Sequence, residues 1–236
     1  MFNKKNKKII SIIPARSGSK GLRDKNIKKI NDIHLLGYSI ITSLDSKLIS
    51  ETYVSTDSLK YKKIANSYGA KVPFIRPSNI STSNSTDYQV ISHAINFFEE
   101  KKLDFEYIVF LRPTTPQRDV KIINKAIKKF INSKYESLRS VHEMSETSFK
   151  SFKKRNDKLV TLLDKDKDKD FDYFNQPRQK FPKTFVGNGY IDIFKKSFIK
   201  KNQKLYGKNV MAFETNHVAE IDNINDFKYI KYLMES

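Results

Sequence analysis

Short apolar, β-branched runs alternate with helix-length amphipathic stretches over the first 135 residues, and this rhythm limits the fold more than any other feature. Ile, Val and Tyr favour pleated, buried positions, so residues 9–14, 51–57, 71–75 and 107–111 are predicted strands. Between them, residues 35–48, 59–68, 85–102 and 119–130 carry apolar side chains at helical spacing. Gly69 suits a helix end and Asp119 a helix start, while Tyr88, Ile91, Ile95 and Phe98 fall on one stripe. Strand–helix alternation of this kind closes through right-handed crossovers into a mostly parallel sheet with helices on both faces. Such sheets bind ligands beyond the carboxyl ends of their strands. The loops to search are therefore 15–26, 55–58, 76–87 and 112–119.

Residues 137–190 break the rhythm. Short strands are predicted at 137–141, 149–153 and 159–163, followed at 164–170 by alternating Asp and Lys. That run cannot contribute to a core and reads as a solvated loop; it lacks the central Gly and terminal Glu of a calcium loop. Strand-like segments return at 189–194 and 210–213, and a last helix is predicted over 224–234. The expected organisation is one domain, 1–236, with a small lobe inserted at about 140–185.

The formal net charge is +19, which raises the question of nucleic acid. Only eight of the 45 basic residues are Arg, and the lysines are scattered along the chain, so a dedicated phosphate-reading surface is not expected. Cysteine is absent, which excludes disulfide scaffolds, thiolate metal sites and Cys nucleophiles. The apolar run at 9–15 is too short for a signal-peptide core, and no run is long enough for a membrane span; a cytoplasmic protein is expected.

The loop after the first strand is the richest in chemistry. It reads Pro14-Ala15-Arg16-Ser17-Gly18-Ser19-Lys20-Gly21, then Lys25-Asn26. Small residues let backbone N–H groups approach phosphate oxygens, and Arg and Lys add positive charge. The spacing is neither the P-loop nor the dinucleotide glycine pattern.

These residues, taken with Val54-Ser55-Thr56-Asp57, Arg76-Pro77, residues 111–118 (Leu-Arg-Pro-Thr-Thr-Pro-Gln-Arg), Gln176-Pro177-Arg178-Gln179, Asn188-Gly189 and Ala219-Glu220-Ile221-Asp222, resemble the acylneuraminate cytidylyltransferases nearly end to end. The resemblance implies a Rossmann-like nucleotidyltransferase sheet with an inserted dimerisation lobe. It also implies a reaction in which the anomeric hydroxyl of a nine-carbon acidic sugar takes CMP from CTP and pyrophosphate leaves. Residues around 137–143 and 189–193 look more like relatives that handle legionaminic-type sugars.

By the same resemblance, Arg16, Lys20 and Lys25 would face the phosphates as catalytic cations. Ala15, Ser17, Gly18, Asn26, Arg76, Asn84, Ser85 and Asp87 would meet the nucleotide. Arg112, Arg178, Asn188 and Lys150 would serve the sugar side, Lys150 reaching across a homodimer interface to the neighbour's phosphates. Arg112 stands where Gln is common in the family, and Asp192 where sialic-acid enzymes often carry Tyr. Mg²⁺ is the expected cofactor, held by Asp222 and, less directly, by Glu220; i and i+2 in an extended segment point the same way. Asp226 reads as a favourable charge at the start of the last helix, and His34, His93, His142 and His217 as structural. The competing readings are a cytidylyltransferase for 3-deoxy-octulosonate and a non-catalytic basic module that binds nucleic acid.

Overall fold

The structure, a computed structural model, describes residues 8–162 and 171–235. The alternating Asp/Lys run and the basic residues 1–7 lie outside the described residues. Strand β1 (Ile9–Pro14) enters the glycine-containing loop, which ends in a 3-10 turn over Lys25–Ile27 and a short hairpin, β2 (Lys29–Ile30) and β3 (Ile33–His34). Next come α1 (Leu35–Asp45), β4 (Glu51–Ser55), α2 (Leu59–Ser67), α3 (Asp87–Glu100), β5 (Tyr107–Phe110) and α4 (Val120–Ile131). The second half runs β6 (Ser137–Glu143), β7 (Phe152–Arg155), β8 (Lys158–Thr161), β9 (Phe185–Lys195), α5 (Lys196–Asn202), β10 (Val210–Glu214) and α6 (Ile224–Glu235).

Six strands form the central sheet in the order β10-β6-β9-β5-β1-β4. The pairs β1–β4, β1–β5 and β10–β6 are parallel, whereas β9 runs antiparallel to both of its neighbours. Pleating divides the apolar strands between two cores. Ile9, Ile13, Tyr107 and Val109 pack with Leu36 and Ile40 of α1, Tyr61 of α2 and Ile127 and Phe130 of α4. Ile10, Ile12, Ile108 and Phe110 face the other way, onto Ile91, Ile95 and Phe98 of α3 and Ile199 of α5. Continuous apolar runs are what a sheet covered on both faces requires. A third cluster joins Leu22, Ile30 and Leu35 to Ile221 and Ile230, and so fastens α6 beneath the first loop.

Local signals set the helix starts. Asp119 caps α4 by accepting from the Lys121 N–H at 2.7 Å. Thr86 and Gln89 form a reciprocal capping box at α3. Several expected boundaries shift. The strand expected at 71–75 is reduced to one bridge between Tyr53 and Lys71, because Pro73 has no N–H with which to continue a ladder. The first helix stops at Asp45 rather than 48. The strand expected at 149–153 begins only at Phe152, since Thr147 caps a 3-10 turn over Ser148–Lys150. The short helix α5, seven residues long, is not among the predicted elements.

The segment between β6 and β9 carries the β7–β8 hairpin, whose strands pair antiparallel. It is tied back where the Met144 N–H donates to the Thr184 carbonyl at 2.8 Å. Phe152, Leu159, Leu162, Phe185 and Val186 leave apolar surface exposed on and beside this segment.

Candidate active site

At the carboxyl ends of β1 and β5, residues from four separate segments enclose a cavity of about 360 Å³. Its walls include Arg16, Lys20, Gly21, Lys25 and Asn26 from the first loop, Arg76, Ser85 and Asp87 from the segment leading into α3, Arg112 and Thr114 after β5, and Glu220 and Asp222 before α6. The sheet thus brings together in one cavity most of the candidate site residues.

The first loop is held in shape at both ends. The Asp57 carboxylate, beyond β4, accepts from both the N–H and the Oγ of Ser17 at 2.7 Å. Asn26 is buried and donates to the Arg16 carbonyl at 3.0 Å. Further along, Tyr61 donates to Asp24 at 3.1 Å; burial and then Asp24 raise the Tyr61 pKa, so this phenol remains a donor. Gly18 sits at φ +65, where a side chain would be strained. At Gly21 a Cβ would collide with the carbonyl oxygen of Asp222, so the loop and the acidic segment meet backbone to backbone. Of the two leading cations, Arg16 donates to the Gly18 carbonyl at 3.0 Å, and Lys20 is exposed without a polar partner among the described residues.

Ile221 is fully buried, and its N–H donates to the Thr114 carbonyl at 2.9 Å. Its neighbours on either side, Glu220 and Asp222, therefore turn outward onto the cavity wall. Glu220 accepts from Thr114 Oγ1 at 2.8 Å. Asp222 Oδ1 lies 3.2 Å from the Lys25 ammonium, which also donates to the Ile221 carbonyl at 2.6 Å. Lys25 thus tethers the acidic segment to the first loop. Asp226 accepts from the N–H groups of Asp222 and Asn223, closing the first turn of α6. Two outward carboxylates beside a basic loop suit a hard cation that also takes phosphate oxygens, so the chemistry of the donor set fits Mg²⁺.

Two arginines after β5 behave differently. Arg118 is half-buried and donates to the carbonyls of Arg112, Thr115, Gly189 and Tyr190 and to Ser39 Oγ. Burial lowers its pKa to about 9, which leaves it a cation at neutral pH. Arg112 lies between Asp192 at 2.5 Å and Asp87 at 2.6 Å. Burial alone would lower its pKa, but the charges of Asp192 and Asp87 outweigh that and raise it. Arg76 is buried, with Nε donating to Ser81 Oγ at 3.1 Å and Nη2 without a partner among the described residues. Its pKa is lowered chiefly by burial.

The remaining candidates lie elsewhere. Ala15 is wholly buried and donates its N–H to the Ser55 carbonyl. Asn84 is exposed, and its N–H is engaged by Thr82 Oγ1. Asn188 is buried, with its amide donating to Thr215 Oγ1 at 2.7 Å. Arg178 helps line a second cavity of about 400 Å³ in the inserted segment, where it reaches the Met144 carbonyl at 2.9 Å. Lys150 lies over the Phe181 ring, 5.3 Å from its centroid. Within one chain, then, Arg178, Lys150 and Asn188 are not brought to the wall that carries Arg16 and Asp222. The histidines are dispersed: His34 meets the Tyr68 hydroxyl, His93 the Phe74 ring, and His142 and His217 each other. Among the described residues no group of three or more His, Asp or Glu side chains forms a metal cluster. No helix among them is long and apolar enough to cross a membrane.

Sequence reasoning gave no separate role to Asp57, Thr114 or Arg118, although each falls within a quoted motif. Ser17 and Asp57 are 40 residues apart, Thr114 and Glu220 106, and Arg118 and Tyr190 72, so no local spacing reveals these pairings.

The chain is similar to known proteins over nearly its whole length. The model of the family described as "Cytidylyltransferase" matches residues 10–235. The chain is 32% identical over 231 residues to post-translational flagellin modification protein B of Campylobacter coli, covering 96% of this chain and 95% of that protein. It is 32% identical to a CMP-N,N'-diacetyllegionaminic acid synthase of Campylobacter jejuni, over 96% of this chain and 94% of the relative. An N-acylneuraminate cytidylyltransferase of Escherichia coli is 33% identical, over 94% of this chain but 51% of its own length. Among solved structures, a CMP:2-keto-3-deoxy-manno-octonic acid synthetase shares the fold with a TM-score of 0.71 at 14% identity, covering 97% of this chain and 98% of its own. With the family match spanning nearly every residue and full-length relatives above 30% identity, the chain belongs to the cytidylyltransferase family.

Proposed function

We propose that this protein transfers CMP from CTP to the anomeric hydroxyl of a nine-carbon acidic sugar and releases pyrophosphate. The observation that carries the reading is the confrontation of Arg16 and Lys20 with Glu220 and Asp222 across one cavity at the strand ends. The names of the relatives, which include legionaminic, neuraminate and pseudaminic acid enzymes, support the sugar class. The octulosonate synthetase, at 14% identity, speaks for the fold alone. A basic nucleic-acid-binding module is not favoured, because the cytidylyltransferase family model matches residues 10–235, nearly the whole chain.

In this reading the sugar hydroxyl oxygen bonds to the α-phosphorus and the bond to the bridging oxygen of the β-phosphate breaks. The hydroxyl proton passes to water, and the electron pair leaves with pyrophosphate. Arg16 and Lys20 offset the charge that grows on the phosphates in the transition state. Asn26 and Asp57 keep that loop in one conformation. Nη2 of Arg76 is a buried donor without a hydrogen-bond partner among the described residues, on a side chain that helps line the cavity. Asp222 and Glu220 would hold Mg²⁺, which when bound supplies positive charge to the triphosphate. Lys25 holds the acidic segment against the loop until the ligands arrive.

The exposed apolar residues of the inserted segment support a homodimer, with Arg178 and Lys150 offered to the sugar side of the neighbouring copy. The test is pyrophosphate release from CTP with a panel of sialic, legionaminic, pseudaminic and octulosonic acids, on protein whose mass is measured by light scattering. Release with a nine-carbon acid, from a dimer, is expected. Release with the octulosonic acid alone, or with no sugar in the panel, refutes the substrate reading, and a monomer at micromolar concentration refutes the dimer.

A further inference from the structure

Two departures from the family pattern, Arg112 and Asp192, turn out to touch each other. Asp192 lies in the middle of β9, opposite Phe110 of β5, and is 1% exposed. Its Oδ2 is 2.5 Å from Arg112 Nη1, and among the described residues Arg112 is its only ion-pair partner. Nη2 of the same guanidinium reaches Asp87 Oδ2 at 2.6 Å, and the Phe110 ring lies 5.0 Å from the guanidinium carbon. Asp87, the first residue of α3, is 42% exposed on the cavity wall, and its other oxygen has no partner among the described residues.

Charge bookkeeping decides what this arrangement can bind. Both Nη atoms of the guanidinium are already taken by carboxylates, Nη1 by Asp192 and Nη2 by Asp87, so neither is free to meet an anionic ligand. A buried carboxylate needs its counter-ion, which commits Arg112 to Asp192. The planar guanidinium can meet two acceptors at fixed angles, and its second edge then fixes Asp87.

We infer that Asp192 and Arg112 are positioning residues: Arg112 is a strut, not a receptor for a ligand's carboxylate or phosphate, and it holds Asp87 as a hydrogen-bond acceptor for a hydroxyl or amide N–H of the bound ligand. The inference deepens the proposed function and rests on that reading for the identity of the ligand, but the strut itself is testable without substrate. Arg112→Gln strands a buried carboxylate and should lower Tm by about 10 °C. Adding Asp192→Asn should recover at least half of that loss. Asp87→Asn should lower Tm less in the Arg112→Gln/Asp192→Asn background than in the wild type, because its partner is already gone. A double variant as unstable as Arg112→Gln, or additive losses at Asp87, overturns the strut even if no transferase activity is found.

Kinetics then separate strut from receptor by sign. For a strut, Asp87→Asn raises the KM for CTP or for the acidic sugar about tenfold with kcat nearly unchanged, the loss of about one hydrogen bond to a charged group. For a receptor, the same change frees the guanidinium from a competing carboxylate, and KM for the acidic sugar falls. A fall in KM, or no change in either KM, overturns the proposal.

Discussion

Replacing Arg118 with Met tests whether the wall that presents Arg112 and Thr114 depends on one half-buried cation. Arg118 donates to four backbone carbonyls and one hydroxyl: Tyr190 at 2.6 Å, Arg112 at 2.8 Å, Gly189 and Ser39 Oγ at 3.0 Å each, and Thr115. These acceptors belong to the loop after β5, to β9 and to α1, so a single side chain joins three elements. Hydrogen bonds from a charged donor contribute about 1.5–3 kcal/mol each, or very roughly 6–12 kcal/mol for the four carbonyls. Met also removes the cost of burying a cation, itself several kcal/mol, which leaves a net loss of about 3–5 kcal/mol. For a chain of this size that corresponds to a Tm lower by about 6–20 °C. Arg118→Lys should lose most of the same stability, since one ammonium cannot reach acceptors spread around a planar fork. The assay is urea unfolding with the slope m monitored, alongside a thermal scan. A shift below about 2 °C in Arg118→Met would refute the reasoning, because the four carbonyls would then have found other donors at no cost.

Two further expectations concern the metal pair and acid stability. Asp222→Asn should nearly abolish turnover at any Mg²⁺ concentration, whereas Glu220→Gln should keep activity that rises with added Mg²⁺; a magnesium titration ranking them the other way round would displace Asp222 as principal ligand. Burial, followed by nearby positive charge or a second imidazole, lowers the pKa values of His34, His93 and His142. The unfolded chain therefore takes up protons at higher pH than the native one, so stability should fall as pH drops below about 6.5 and down through the native values. The urea midpoint should drop between pH 7 and pH 5, and His93→Gln should flatten that slope; an unchanged slope would show that His93 is not among the groups responsible.

The alternating apolar runs were enough to assign the sheet–helix class, because an element's periodicity records which of its faces avoid water. Ile9 to Ile13 is apolar throughout, and it packs on both sides. Caps such as Asp119 were readable for the same reason: the donor is two residues away. The first loop was legible as a candidate site from the order of its small and basic residues directly after an apolar strand, and Arg16, Lys20, Lys25 and Asn26 do line one cavity. Tertiary structure alone decided the partners of those charges. The sequence has no local mark by which β9 should run between β5 and β6, yet that placement puts Asp192 against Arg112, 80 residues away, and turns a pocket arginine into half of a buried ion pair. Lys25, a plausible phosphate cation by sequence, is instead tied to Asp222 because Gly21 lets the two backbones touch. Side-chain type states what a residue can bond to; only the order of the strands and the close approach of the loops determine which partner is within reach.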